Sequence, residues 1–289
     1  MSLQERSRLI ETRWTYTAGT PSKTVAAWGG VFGGFCERSP TSVDRLELPA
    51  AASVIILCCG EPVTLQSALN PSSARRLEAF SAGLQVPAQC VAHAGINDCI
   101  EIRLPPLAAY ALFGGAMTEA NPEAINLSEL APGPTAMLLD RLRTATAWPD
   151  RLAIVDRYLA RGFAQSTRRV PSELTCAWRT LEQSRGRVAI RSLARSIGWS
   201  ERHLIRRFMT YFGARPKAIA RRLRFSHAFE LLSVHCADEI RTIAVDAGFS
   251  DQSHMTREFQ VFAGVTPHVL KAARFKDLPG IPAAVLPDR

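Results

Sequence analysis

The chain has 289 residues, 47% apolar and 21% charged, a balance close to the globular average that allows a sizeable core. The formal charge is +9 and unevenly spread: from Arg168 onward 21 Lys and Arg face 11 Asp and Glu, whereas the first 167 residues carry 14 against 15. No apolar run reaches the roughly 18–20 residues of a membrane span, and the start, MSLQERSRLIETRW, lacks a signal peptide's apolar stretch, so a cytoplasmic location and no membrane partner are expected.

In chain order, the region from Arg13 to Pro105 reads as strands and turns. Thr24–Trp28, Ser53–Cys58, Gln89–His93 and Cys99–Leu104 are short apolar runs. Gly29-Gly30, Gly33-Gly34, Asn70-Pro71 and Gly95-Ile96-Asn97-Asp98 punctuate them as turns. Short strands without βαβ spacing predict a mainly antiparallel domain, a sandwich or a small barrel. Pro106–Tyr110 opens a short helix, and Asn121–Pro134 reads as a loop. Thr135–Thr146 and Asp150–Arg161 carry apolar residues at helical spacing and flank the β domain. Gln165–Ser172, polar and carrying a proline, is the expected linker. From Ser172 nearly everything reads as helix, and from Lys276 Pro279, Gly280, Pro282 and Pro287 mark a loose tail. The expected fold is therefore α+β. A sensor or dimerisation domain spans residues 1–167, an all-α domain 172–275, and the tail 276–289.

The back half repeats itself. Leu193-Ala194, Gly198-Trp199-Ser200, Phe208, Gly213 and Pro216 recur as Ile243-Ala244, Gly248-Phe249-Ser250, Phe259, Gly264 and Pro267. The offset is 50 residues up to the serine and 51 from Phe208, so the second copy has one extra residue after its serine. Each copy reads as helix, turn, helix. Ile190, Leu193, Ala194 and Ile197 form an apolar stripe, and so do Ile240, Ile243, Ala244 and Ala247. Gly198 and Gly248 stop the first helix of each copy. Ser200 and Ser250 are the expected N-caps, with acidic Glu201 and Asp251 behind them. Two such matches in register on a basic background favour helix-turn-helix units over a plain helical bundle.

The second helix of such a unit lies in the DNA major groove. Its outward residues are Arg202, Ile205 and Arg206 in the first copy, and Gln252, Ser253, Thr256 and Arg257 in the second. These are the candidate base contacts: arginine pairs with guanine, glutamine with adenine, and an apolar side chain meets the thymine methyl. Between the copies, Pro216–His235 reads as a helix of about 18 residues, spanning roughly 27 Å. That is near the ~34 Å of one DNA turn. Ser200, Arg207, Arg215, Lys217, Arg221, Arg222 and Ser250, with Arg224, are the candidate phosphate contacts that position without specifying sequence.

These residues resemble the AraC/XylS family of bacterial regulators over Val188–Val269. The most specific piece is Gly248-Phe249-Ser250-Asp251-Gln252-Ser253-His254-Met255, followed by Phe259 and Gly264-Val265-Thr266-Pro267. The resemblance implies two helix-turn-helix units joined by a long helix and action as an activator or repressor. It places Arg202, Arg206, Gln252 and Arg257 where bases are usually read. Ala214-Arg215-Pro216 departs from the serine common before that proline. The implied partners are double-stranded DNA and, if the protein activates, RNA polymerase; the front domain is expected to serve a small-molecule effector or a homodimer, alternatives the sequence does not separate.

Enzymatic readings are weaker. A metal-dependent cupin would need two or three histidines on neighbouring strands, and the first 167 residues hold only His93. The seven cysteines, Cys36, Cys58, Cys59, Cys90, Cys99, Cys176 and Cys236, show no C-x-x-C spacing. They read as small buried hydrophobes, with a cysteine-redox or ligand-binding enzyme as the alternative. No metal or cofactor is expected. Trp28, Phe32, Phe35, Tyr110 and Phe113 either line a pocket or belong to the core, the core being favoured.

Overall fold

The computed structural model describes residues 12–117, 124–234, 239–273 and 281–286. Its front region is a sandwich of two antiparallel sheets, the strands being β1 (Arg13–Ala18), β2 (Val31–Arg38), β3 (Val43–Glu47), β4 (Ser53–Cys58), β5 (Val63–Ser67), β6 (Asn70–Leu77), β7 (Ala79–Ala82), β8 (Gln89–His93), β9 (Ile96–Leu104), β10 (Ile125–Asn126) and β11 (Ile281–Pro282). One sheet runs β1-β2-β9-β4-β7-β10 and the other β11-β3-β8-β5-β6.

Strand alternation gives the six-stranded sheet two apolar faces. Ile55, Leu57, Ile100, Ile102 and Leu104 point outward and are covered by α2 (Pro106–Phe113), α4 (Pro132–Thr144) and α5 (Trp148–Gln165). The intervening residues, among them Phe35, Ile56, Cys99 and Glu101, face the other sheet.

Several local expectations are corrected. Thr24–Trp28 is not a strand: Lys23–Ala27 forms a one-and-a-half-turn helix, α1, entered from extended Ser22 and burying only Val25. Gly33 and Gly34 lie inside β2 rather than in a turn. A Cβ on Gly33 would meet the Tyr16 ring, and one on Gly34 the Trp148 ring, so both glycines make room for aromatics on opposite faces. Asn70 begins β6, and the turn falls one step earlier, since Ser67 pairs with Asn70. Gly95 (φ +99°) makes the next turn, while Ile96, Asn97 and Asp98 belong to β9. The expected loop Asn121–Pro134 contains β10, a short helix α3 (Leu127–Leu130) and the start of α4; residues 121–123 lie outside the described residues.

The helical region comprises α6 (Ser172–Gln183), α7 (Ile190–Ser196), α8 (Glu201–Phe212), α9 (Pro216–Val234), α10 (Ile240–Asp246), α11 (Gln252–Ala263) and α12 (Pro267–Ala273). The predicted stripes point inward: Leu193, Ala194, Leu204 and Phe208 are buried in one unit, and Ile243, Ala244, Met255 and Phe259 in the other.

The two regions share their cores. Leu84 and Leu107 pack among α6–α9 residues, and Leu46, Ala88 and Cys90 among α9–α12 residues. Hydrogen bonds bind the seam: Ala88 N–H donates to the Phe262 carbonyl (3.1 Å), and Gln85 Nε2 to the Gly213 carbonyl. The tail is not loose where it is described. Ile281 pairs with Leu46 and Pro282 with Arg45; Ile281, Ala283 and Leu286 are buried in the shared core. Prolines suppress helix but permit an edge strand, and burial of Ile281 and Leu286 holds this one. Residues 276–280 and 287–289 lie outside the described residues.

Of the five aromatics, only Phe35 borders the space between the sheets. Trp28 stacks on Phe163 (5.1 Å), Phe32 and Phe113 belong to the helix-covered core, and Tyr110 packs on Tyr211 (4.4 Å).

Candidate nucleic-acid interface

Both units close their turns with the same bonds. Trp199 N–H donates to the Ala194 carbonyl and Phe249 N–H to the Ala244 carbonyl, each at 2.9 Å. Gly198 and Gly248 take φ of +73° and +84° at the helix ends, which is the Schellman arrangement. No atom lies within 4 Å of a Cβ built on Gly198; backbone conformation alone calls for glycine there.

The units differ at the cap, and this explains the extra residue of the second copy. In the first, Ser200 accepts from His203 N–H (3.2 Å). In the second, Ser250 is not the N-cap: Asp251 accepts from His254 N–H (2.7 Å), while the Ser250 hydroxyl bonds Asp251 Oδ2 (3.1 Å). The capping hydrogen bond from His254 holds the Asp251 carboxyl below its ordinary value. The recognition helices are therefore in register at an offset of 51. Arg202 matches Ser253, Ile205 matches Thr256, and Arg206 matches Arg257.

Arg202, Ile205, Arg206, Ser253 and Arg257 are exposed, and Gln252 and Thr256 half-buried. Apart from the contact of Arg206 with His203 (3.2 Å), no hydrogen bond or ion pair engages the guanidinium groups of these arginines among the described residues. Arg215, Lys217, Ser200 and Ser250 are also exposed.

The arginines of α9 and its neighbours are another matter. Arg222 is only 4% exposed and donates to the carbonyls of Val86 (3.0 Å) and Ala50 (3.4 Å). Burial lowers its pKa to about 10. It is a docking residue and not a phosphate contact; helical periodicity turns it toward the front region while its neighbours face elsewhere. Arg221 forms a two-bond pair with Glu258 (2.8 and 2.9 Å), fastening α9 to α11. Arg224 donates to the Gly186 carbonyl (2.8 Å). Arg207 lies over the Tyr211 ring and bonds its hydroxyl (3.2 Å).

Two basic residues escaped the sequence reading. Arg191 and Arg241 stand early in α7 and α10 at the repeat offset of 50. Arg191 pairs with Glu201 at 3.5 Å, and Arg241 borders a surface depression with Gln252, Ser253 and Thr256. The repeat itself was the available signal.

Among the described residues, no group of three or more His, Cys, Asp or Glu could hold a metal ion, and no helix is long and apolar enough to cross a membrane.

No curated protein matches the chain. Among solved structures, a transcriptional regulator with an AraC-type DNA-binding domain from Chromobacterium violaceum is 28% identical (TM-score 0.34), covering 36% of this chain and 93% of that one. ToxT from Vibrio cholerae is 9% identical (TM-score 0.44), covering 90% of this chain and 97% of that one. Residues 193–273 match the model of a helix-turn-helix domain family. Residues 193–273 of the chain thus form a helix-turn-helix domain.

Proposed function

We propose that the chain is a sequence-specific transcription regulator that inserts α8 and α11 into successive major grooves. One observation carries this reading: the two recognition helices present equivalent outward faces, with Arg206 and Arg257 at matched, exposed positions. The 19 residues of α9 separate them by roughly 28 Å of helix axis, close to one DNA turn. Arg202, Arg206, Gln252 and Arg257 would read bases, supported by Ile205, Ser253 and Thr256. Phosphates would fall to Arg215, Lys217 and Arg241.

Residues 1–167 would form the regulatory part and 172–275 the reader, with a small molecule in the front sandwich controlling the reader through their shared seam. The test is selection of binding sites from a randomised duplex library by the full chain at near-physiological salt. The full chain is needed because Leu84 and Leu107 help build the reader's core. A bipartite motif with parts about 10 base pairs apart is expected. Binding that enriches no motif and merely fades with salt would overturn sequence reading.

A further inference from the structure

The two sheets enclose a cavity of about 330 Å³, within the size range of small-molecule sites. Its middle is apolar, with Phe35, Ile56, Leu65, Phe80 and Val91 on its walls. Its charged groups pair among themselves, save one. The Glu37 carboxylate accepts from Arg45 and meets His93 Nε2 at 3.0 Å. Burial alone would push the Glu37 carboxyl up, but the hydrogen bonds from His93 and Arg45 outweigh it and hold it low. Glu101 pairs with Arg103.

Glu47 is left over. Among the described residues it has no hydrogen-bond or ion-pair partner. It lines the cavity and is itself exposed. Burial and the neighbouring Glu101 carboxylate push its carboxyl up, outweighing the pull of the nearby Arg45 and Arg103 guanidiniums. A second unmet acceptor lies elsewhere on the wall: Asn97, 8% exposed, has no partner for Oδ1. Asn97 and Glu101 are four residues apart on β9, roughly 13 Å along the strand, and Glu47 belongs with the Glu101 end. A buried acceptor without a donor is costly. That buried acceptor on Asn97 and the unpaired Glu47 carboxylate, at separate places in one largely apolar cavity, describe the complement of a ligand.

We propose that this cavity binds an organic amine: a protonated amino group on Glu47, an apolar body between the sheets, and a second hydrogen-bond donor reaching Asn97 Oδ1. The cavity's own cations, Arg45 and Arg103, are already paired, so an anionic ligand finds no free counter-charge. Ala50 and Val86, whose carbonyls receive Arg222, also border the cavity. An occupant therefore presses on the backbone that seats α9. The proposal rests on the reading of the front region as an effector domain and names the effector's chemistry.

The experiment measures thermal unfolding and calorimetric binding of the full chain with three probes: 4-(4-hydroxyphenyl)butylamine, 4-phenylbutylamine and 4-phenylbutanoate. Both amines should raise the melting temperature, the hydroxylated one more, and the carboxylate should not. Glu47→Gln should weaken amine binding about tenfold or more, while Glu47→Asp keeps the preference for amine over carboxylate. Matched circular dichroism spectra check that both variants fold. A carboxylate preference, no shift with any probe, or an unchanged response in Glu47→Gln would overturn the proposal. DNA affinity with and without amine is read separately. Amine binding that leaves DNA affinity unmoved would defeat effector control and leave the ligand assignment standing.

Discussion

The Arg222 guanidinium, on the helix joining the two helix-turn-helix units, lies 3.0 Å from the Val86 carbonyl of the front sandwich. An arginine in a basic helix-turn-helix segment is thus spent on the protein itself. Truncating it takes the guanidinium donor from two inward carbonyls, each loss costing on the order of 1–2 kcal/mol. Arg222→Ala should lower stability in urea by about 2–4 kcal/mol while the salt dependence of DNA binding keeps its slope. A slope reduced by about one, with stability unchanged, would return Arg222 to the phosphate contacts.

Arg206 and Arg257 occupy equivalent places on α8 and α11. Either alanine variant should cost about 1–3 kcal/mol at the selected site and relax one base position, a different one for each. Arg221→Ala should behave differently, loosening α9 from Glu258 without relaxing any base. The measurement is a competition titration against single-base variants of the selected site.

The two caps predict different responses to acid. Ser200→Ala should cost about 1 kcal/mol at any pH. The Asp251 carboxyl is held below its ordinary value by the His254 N–H, so its contribution is complete above about pH 4. It is lost as the pH falls through the depressed folded value. Asp251→Ala should therefore destabilise at pH 7 and lose that effect in strong acid, whereas Ser250→Ala should do less at pH 7. Melting curves of the three variants at pH 7 and pH 2.5 decide this.

The C-terminal strand makes a stability prediction. Ile281 is 3% exposed between β3 and the shared core. Ile281→Ala should cost about 2–4 kcal/mol, the range for a large aliphatic residue cut to alanine in a core. A change under about 0.5 kcal/mol would mean the tail does not hold this position in solution.

Thiol chemistry separates the regulator from the redox alternative. Burial pushes the Cys58 and Cys59 thiols up to about 11, and Cys99 well above its ordinary value. The reactive form is the thiolate. Iodoacetamide at pH 8 should label exposed Cys176 in the native protein and reach Cys58, Cys59 and Cys99 only after denaturation. Rapid native labelling of Cys58 or Cys59, located by peptide mass, would revive a thiol-based role. Cys236 lies outside the described residues.

The sequence by itself determined the helix-turn-helix pair. Its stripes, glycine stops and corner aromatics act within about 25 residues of chain, and a repeat at offset 50 shows them twice. The same locality made α4, α5 and α9 legible, as well as the strands around Val54, Val91 and Ile100. Tertiary structure decided what depends on distant partners. Val25 joins a helix that starts after extended Ser22, whose N–H donates to distant Asp156 Oδ1 (2.8 Å), though its neighbours have strand-like composition. Gly33 and Gly34 sit in a strand because the Tyr16 and Trp148 rings need the space, and those rings come from β1 and α5. Arg222 faces inward, where the carbonyls of Ala50 and Val86, 172 and 136 residues away, accept its hydrogen bonds. Glu47 and Asn97 came to line one cavity only when the two sheets packed face to face. Hydrophobic periodicity records which face of an element is buried; it carries no record of which polar groups meet there, because those meetings are made by chain segments far apart in sequence.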